Sequence, residues 1–209
     1  MKKLKSKAGM TLMEIMVSLL IMTLLVVGMG TGMNTGMRVY NDASFEAESA
    51  SLAGILNTAL GDMLRYAQVR TANADGTTPI KNAAGDSVDF VFTNLEYGVR
   101  DVSFSIVPTP QTDDGGRTVL VMKSLDGTST TDLINTGAYP DLSIKSFESK
   151  YYPPASPGTT VTYKLTFGDG TSISTTEGGF FHISYDVIRL SDSNKTHHAE
   201  TVVRLMNAE

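Results

Sequence analysis

A long apolar segment lies near the start of the sequence. It carries no charged residue from Ile15 to Met37 and is rich in Leu, Val, Ile and Met. A helix over Met10–Met37 would be about 42 Å long, because each residue rises 1.5 Å, whereas a hydrocarbon core is about 30 Å thick. The pattern therefore predicts a membrane-spanning helix at residues 10–37.

A second pattern follows Met37. Apolar residues recur there at spacings of three and four, which is typical of one helix face. They are Phe45, Leu52, Ile55, Leu56, Ala59, Leu60, Met63, Leu64 and Ala67. Gly54 and Gly61 fall inside the pattern and weaken the expectation of an unbroken helix. The turn-forming run Asn73–Gly76 predicts that this amphipathic helix, assigned to residues 38–72, ends near Thr71.

The rest of the chain predicts antiparallel strands. Alternating, β-branched and aromatic segments are separated by turn-forming sequences, as in hairpins. The predicted strands are 88–93, 99–107, 118–125, 142–152, 161–167, 180–190 and 200–206. The prolines of Tyr152–Gly158 predict an exposed loop. The expected fold class is α+β, with a long N-terminal helix packed on an antiparallel β-rich head at residues 73–209.

Composition narrows the possible functions. The 209 residues leave about 140 for one globular head, an ordinary domain size. The formal charge is −5, and 13 basic residues stand against 22 acidic ones once four lysines near the N-terminus are set aside. A nonspecific nucleic-acid binder would need a basic surface, so no nucleic-acid partner is predicted. The chain has no cysteine and therefore no disulfide.

One acidic residue, Glu14, lies at the start of the apolar segment. A carboxylate at full bilayer depth costs roughly 2.5–3.5 kcal/mol, so such a residue usually marks function. Four lysines precede it, and a lone Arg38 follows the segment. This charge bias predicts a cytoplasmic N-terminus and an external head. The lysines are Lys2, Lys3, Lys5 and Lys7.

The run Gly9-Met10-Thr11-Leu12-Met13-Glu14, after a short basic leader, resembles the processing site of type IV prepilins and the related pseudopilins. The resemblance implies that residues 1–9 are a leader, which prepilin peptidase removes between Gly9 and Met10 before methylating Met10. It also implies that Glu14, Thr11 and Leu12 serve assembly. In the family the glutamate at the place of Glu14 pairs with the N-terminal amine of a neighbouring subunit, which here would be the Met10 amine. A cationic partner offsets the cost of a carboxylate in a low-dielectric setting.

Several positions depart from the common family pattern. Met10 stands where phenylalanine is commonest, and Thr31 stands where many pilins carry a helix-kinking proline. Glycines could loosen the helix there instead; they are Gly28, Gly30, Gly32 and Gly36. Many Gram-negative pilins contain a disulfide that this chain lacks. A head of about 140 residues favours a minor pilin, and Glu14 argues against the extreme tip subunit, which often lacks the glutamate.

The N-terminus has three other interpretations. Glu14 and the length of the apolar run argue against a secretory signal peptide, and a lipoprotein signal needs a cysteine. The third interpretation is a plain single-span membrane anchor, with Glu14 at the interface. At the level of function, the alternatives are a minor pseudopilin of a type II secretion system and a membrane-anchored adhesin or sensor that never polymerises.

The resemblance implies three partners: prepilin peptidase, other pilin or pseudopilin subunits, and an assembly platform in the membrane. The expected location is the cytoplasmic membrane with the head outside, and afterwards an extracellular or periplasmic filament.

The sequence of the head contains few candidate catalytic or ligand-binding residues. No nucleophile motif or phosphate-binding loop occurs, so no enzyme activity and no cofactor are predicted. Neighbouring His197 and His198 would point to opposite faces of a strand and are interpreted as solvated loop residues, with His182 also facing solvent. Tyr151 and Tyr152 could form a binding surface or pack against their loop.

Five aspartates of the head leave calcium binding as an alternative to the absence of any cofactor. No EF-hand spacing occurs, however, and Asp-Gly is foremost a turn-forming sequence. They are Asp113, Asp114, Asp126, Asp132 and Asp169. The sequence Asp-Gly-Thr occurs at 75–77, 126–128 and 169–171 and is interpreted as three ordinary turns.

Overall fold

The computed structural model describes residues 12–73, 78–108, 117–133 and 138–206. These residues form one helix, α1 (Leu12–Arg65), and twelve strands. The strands are β1 (Gln68–Arg70), β2 (Ile80–Lys81), β3 (Ser87–Val88), β4 (Val91–Asn94), β5 (Val99–Pro108), β6 (Thr118–Ser124), β7 (Thr130–Asp132), β8 (Leu142–Tyr152), β9 (Tyr163–Thr166), β10 (Ser172–Thr175), β11 (Phe180–Arg189) and β12 (Asp192–Arg204). The chain divides into two compact units, Met1–Phe45 and Glu46–Glu209, and the second holds all the strands.

Helix α1 is unbroken through Gly54 and Gly61, although each glycine costs about 1 kcal/mol relative to alanine in a helix. Glu14 lies in the first turn and Arg65 in the last, where each charge complements the helix dipole. Gly61 is buried, so tertiary packing supports the helix at that position.

The helix ends at Arg65, earlier than the predicted end near Thr71. Two distant groups satisfy carbonyls of its last turn, which would otherwise lack partners. The Asn94 amide donates to Met63 O at 2.7 Å, and Met206 N donates to Arg65 O at 2.7 Å. Beyond them, Gln68–Arg70 pair with β4 as strand β1. Sheet pairing has overridden the apparent helical pattern there.

The strands form antiparallel sheets. A five-stranded sheet has the order β1-β4-β5-β6-β7, and a three-stranded sheet has the order β12-β11-β8. Two small hairpins, β9-β10 and β2-β3, pair only within themselves. Together with the N-terminal helix, this arrangement confirms the predicted α+β layout.

Most predicted strands are present, and β8 has the predicted bounds. The strand predicted at 88–93 is wrong, because two strands occupy it: β3 pairs with β2, whereas β4 pairs with β1 and β5. Strand β12 begins at Asp192 rather than at Glu200, since its polar first half pairs with β11 through the backbone. Residues 153–162 form the predicted loop.

The core of the second unit lies between the helix and the three-stranded sheet. On the helix, Leu52, Leu56, Leu60 and Leu64 are buried. On β11, Phe181, Ile183, Tyr185 and Val187 are buried, as expected for one face of a strand. Each such side chain contributes roughly 1.5–3 kcal/mol by leaving water. Ile55, predicted to lie on the buried face, is 46% exposed, whereas the polar Ser49 is fully buried.

One buried hydroxyl links the helix to β11. The Tyr185 hydroxyl lies 3.0 Å from Ala53 O and 2.9 Å from Asn57 Oδ1, and the ring is 1% exposed. Burial raises the pKa of Tyr185, so the hydroxyl keeps its proton and donates.

We expect Tyr185→Phe to lower the free energy of unfolding by about 1 kcal/mol, the typical net value of a buried hydrogen bond. Urea unfolding of the full chain in micelles would measure it as a lower midpoint at an unchanged slope. Tyr66→Phe, at a half-exposed ring, is the matched control and should leave the midpoint in place. Equal midpoints for the two variants would contradict the assigned role.

Candidate functional site

The first unit presents an apolar helical surface with one carboxylate near its start. From Leu12 to Met37, large apolar side chains are exposed over 46–79% of their surface. Glu14 is the only ionisable side chain along this part of α1. An apolar surface of this extent requires lipid or other protein to cover it.

Hydroxyl groups along the same segment are satisfied within the helix. Ser18 donates to Glu14 O at 2.7 Å, Thr23 to Leu20 O at 2.8 Å, and Thr35 to Thr31 O at 3.0 Å. Thr31, at the position where a proline would kink the helix, donates to Val27 O and Gly28 O. The hydroxyls therefore need no water, and the segment suits an apolar environment.

The helix is long and apolar enough to cross a membrane. Within Leu12–Arg65, an 18-residue window reaches a mean hydropathy of 2.4 with none of its residues buried. A signal sequence near an N-terminus would meet the same criterion of length and composition. The first unit is therefore suited to act as a membrane span or signal anchor.

The glycines of the segment do not interrupt it. Helix α1 is continuous through Gly28, Gly30, Gly32 and Gly36. A Cβ atom at any of them would meet no atom within 4 Å. No contact within the described chain accounts for their small size.

The residues of the cleavage site fall outside the described part of the chain. They are Gly9, Met10, Thr11 and the leader lysines Lys2, Lys3, Lys5 and Lys7. Leu12 is the first described residue and is 79% exposed at the start of α1. Glu14, two residues after Leu12, lies in the first turn of the helix.

The adjacent histidines lie on β12 rather than in a loop, which corrects the predicted solvated-loop interpretation. Their side chains have different partners, as expected for neighbours on a strand. His197 Nδ1 lies 3.2 Å from Glu46 Oε1 of the helix. His198 lies between two carboxylates, with Nδ1 2.7 Å from Asp186 and Nε2 2.9 Å from Glu200.

The His198 cluster also holds the β9-β10 hairpin. Glu200 Oε1 accepts a hydrogen bond from Gly168 N at 2.7 Å. A Cβ atom at Gly168 would lie 2.6 Å from His198 Nε2, so a larger residue there would displace the His198 ring. Hydrogen bonds to Glu200 and then Asp186 raise the pKa of His198.

Stability should fall as pH rises through the folded pKa of His198. Because this pKa is raised, the contribution is complete below the unfolded value of about 6.5 and lost at alkaline pH. The loss should be about 1 kcal/mol or less, since His198 is 45% exposed. Urea midpoints between pH 6 and pH 9 would measure it, and His198→Gln should flatten the profile. An unchanged profile in that variant would contradict the assignment.

Near the same cluster, Ser146 Oγ donates to Asp186 Oδ2 at 2.7 Å, while His198 contacts the other oxygen of Asp186. The carboxylate thus stands between serine and histidine. In a nucleophilic triad the imidazole contacts the serine and removes its proton. This order therefore does not activate Ser146.

Other predicted sites in the head serve structure. His182 is partly buried with its ring edge-on to Phe167, which corrects the expectation that it faces solvent. Tyr152 is 8% exposed and stacks on Phe180 at 4.8 Å. Tyr151 packs on Phe181 at 4.9 Å. The two tyrosines therefore pack against their surroundings, which was one of the two alternatives.

The aspartate turns are also structural. Thr128 donates backbone and side-chain hydrogen bonds to Asp126 Oδ1, and Thr171 does the same for Asp169. Hydrogen bonds from Ser124 and Thr128 lower the pKa of Asp126 to about 2. Asp113, Asp114 and the turn at 75–77 lie outside the described residues. Within the described ranges, no group of three His, Asp or Glu side chains could hold a metal ion.

The Asp186–His198–Glu200 cluster was missed by sequence reasoning. Alternation along β12 does place residues 198 and 200 on one face. Asp186 joins them only through the register of β11 with β12, in which it pairs with His198. No family model, curated protein or solved structure matches the chain. The case for a function therefore rests on the residues themselves.

Proposed function

We propose that the chain is a structural subunit, specifically a minor pilin, of a type IV pilus-like filament. In this proposal prepilin peptidase removes residues 1–9 and methylates Met10, and the subunit assembles through its N-terminal helix. The observation that carries the proposal is Glu14: it is the only charged side chain on the exposed apolar part of α1 from Leu12 to Met37, and it lies five residues after Gly9.

Before assembly, the helix would hold the subunit in the cytoplasmic membrane. The apolar side chains from Leu12 to Met37 would face lipid, while internally bonded hydroxyls add little cost. Glu14, near the end of the span, lies where a carboxylate can still reach the interface. The head, with its acidic excess, would lie outside.

During assembly, the same side chains would leave lipid and pack on the helices of other subunits. Glu14 would then lose access to water, and an unpaired carboxylate in such a core is strongly disfavoured. The Met10 amine of a neighbouring subunit would supply the opposite charge. This pairing makes the assembled state selective for a correctly processed neighbour, because the amine exists only after cleavage.

Gly28, Gly30, Gly32 and Gly36 suit a helix that moves from the membrane into the filament. They leave the backbone free of side-chain constraint, and no packing within the described chain requires them. Local unwinding at these positions during extraction from the membrane is part of the proposal.

Two other functions use the same helix. A minor pseudopilin of a type II secretion system would be processed in the same way and would differ in its assembly partners. An anchored adhesin or sensor that never polymerises would need only the apolar span, and its Glu14 would have no partner subunit. Dependence on prepilin peptidase separates the first two from the third.

Expression of the full chain with and without an active prepilin peptidase tests the proposal. With active enzyme, the chain should lose residues 1–9 and gain a methyl group at Met10. With a catalytically inactive enzyme, it should keep them, as intact-mass measurement would show. A chain that keeps Met1–Gly9 beside active enzyme, while a known prepilin in the same cells is cut, would overturn the proposal.

A further inference from the structure

A polar cleft lies between β5 of the five-stranded sheet and β8 of the three-stranded sheet. Its volume is about 410 Å³, and it is lined by residues 103–105 of β5, residues 147–149 of β8, Lys123, Asn82 and residues 86–90. The two sheets are joined at one end, where Thr118 N donates to Ser143 Oγ at 2.9 Å and the Thr118 hydroxyl donates to Ile144 O. The cleft lies farther along β8, beside Phe147–Ser149. It is large enough for one or two sugar rings.

Two half-buried aromatic rings give the cleft an apolar surface. Phe104 and Phe147 line it with their ring centroids 5.7 Å apart and their planes at 63°. Phe104 also packs on the fully buried Phe92 at 4.8 Å, which fixes its position. The rings are therefore held in place before any ligand arrives.

Polar side chains occupy the rest of the lining. Four serines are among the lining residues: Ser87, Ser103, Ser105 and Ser149. Within the described residues, the structure gives no hydrogen bond or ion pair to the side chains of Asp89, Lys123 or Glu148, which all line the cleft. These groups are available to a ligand.

One rim of the cleft is preorganised. Asn82 and Asp86 form three hydrogen bonds with each other: Asp86 N donates to Asn82 Oδ1 at 2.8 Å, Asn82 Nδ2 donates to Asp86 Oδ2 at 3.1 Å, and Asn82 N donates to Asp86 O at 3.0 Å. The loop between β2 and β3 is thereby closed on itself. Its polar atoms keep fixed positions beside the opening.

The chemistry of the lining excludes several ligand classes. Three carboxylates, of Asp86, Asp89 and Glu148, oppose the single Lys123, so a phosphate or other polyanion would be repelled. The many hydroxyl and charged groups would be left without partners by a purely apolar molecule. No metal-binding group of three side chains occurs within the described ranges.

We propose that this cleft binds a saccharide of one or two rings. Sugar hydroxyls both donate and accept hydrogen bonds, which suits a lining that contains serine, asparagine, aspartate, glutamate and lysine residues. The apolar C–H face of a sugar ring would lie against Phe104 and Phe147. This proposal is independent of filament formation, because every residue that carries it belongs to the head.

Saturation-transfer NMR on the full chain tests the saccharide site. The chain would be held in dodecylphosphocholine micelles, which contain no sugar, with galactose, N-acetylglucosamine and lactose as probes. We expect signal transfer to at least one probe. Lys123→Ala removes a charged hydrogen-bond donor and Ser105→Arg places a large side chain on a lining residue, so each should weaken binding about tenfold or more.

Two matched variants locate the binding. Lys164→Ala on β9 and Ser174→Arg on β10 repeat the substitutions outside the cleft and should leave binding unchanged. Urea midpoints would confirm that each variant is folded. No transfer to any of the three probes would overturn the proposal, and so would equal losses in the cleft variants and their controls.

Discussion

Glu14→Gln is expected to lower the share of this subunit in filaments by more than about 100-fold while its leader is still removed. The substitution keeps the size of the side chain and removes its charge, so a neighbour's Met10 amine would lie in the filament core without a counter-ion. Breaking a buried charge pair typically costs 3–5 kcal/mol, and each 1.4 kcal/mol is a factor of ten. Glu14→Ala should have the same effect.

Two controls isolate the charge at Glu14. Glu14→Asp keeps a carboxylate and should retain part of the incorporation. Asp62→Asn neutralises an exposed carboxylate on the same helix within the second unit and should have no effect. The molar share of each variant would be measured by quantitative mass spectrometry of sheared filaments, and leader removal by intact mass. Normal incorporation of Glu14→Gln would refute the proposed charge pairing.

Gly9→Leu is expected to stop removal of the leader altogether. Prepilin peptidase cuts after a glycine in the family that the site resembles, and a branched side chain there would obstruct the backbone at the cut. The variant should keep Met1–Gly9, carry no N-methyl group and stay in the membrane.

The matched control for Gly9→Leu is Gly28→Leu, the same change within the apolar span, where a Cβ atom would meet nothing within 4 Å. This control should be cut normally. Intact mass of the membrane fraction distinguishes the two outcomes, and a Gly9→Leu chain that begins at Met10 would contradict the assigned cleavage site.

Local patterns predict much of this fold. Strand β8 has its predicted bounds because alternating side chains and flanking turn residues mark it at both ends. The first half of β12 shows no such alternation, since Asp192–His198 is polar and its pairing with β11 depends on backbone hydrogen bonds. Strand β10 is missed for the same reason, as Ser172–Thr175 carries little apolar surface.

Long-range contacts set what local patterns could not predict. The helix stops at Arg65 because Asn94 and Met206, far along the chain, satisfy its last carbonyls. Asp186 contacts His198 because the register of β11 with β12 places the two residues opposite each other. The cleft beside Phe147 depends on how the two sheets pack together. The proposed assembly site is the opposite case. Glu14 and the apolar segment are adjacent in sequence, so the chain displays that site without tertiary structure.

The most direct test of the filament proposal is mass spectrometry of filaments sheared from native cells, directed at the N-terminal peptide of this subunit. The proposal predicts a peptide that begins at N-methylated Met10, present at a small molar share beside a more abundant subunit. A chain that is absent from the filaments and retained in the membrane with Met1–Gly9 intact would contradict it, and would leave a single-span anchor with a β-rich head.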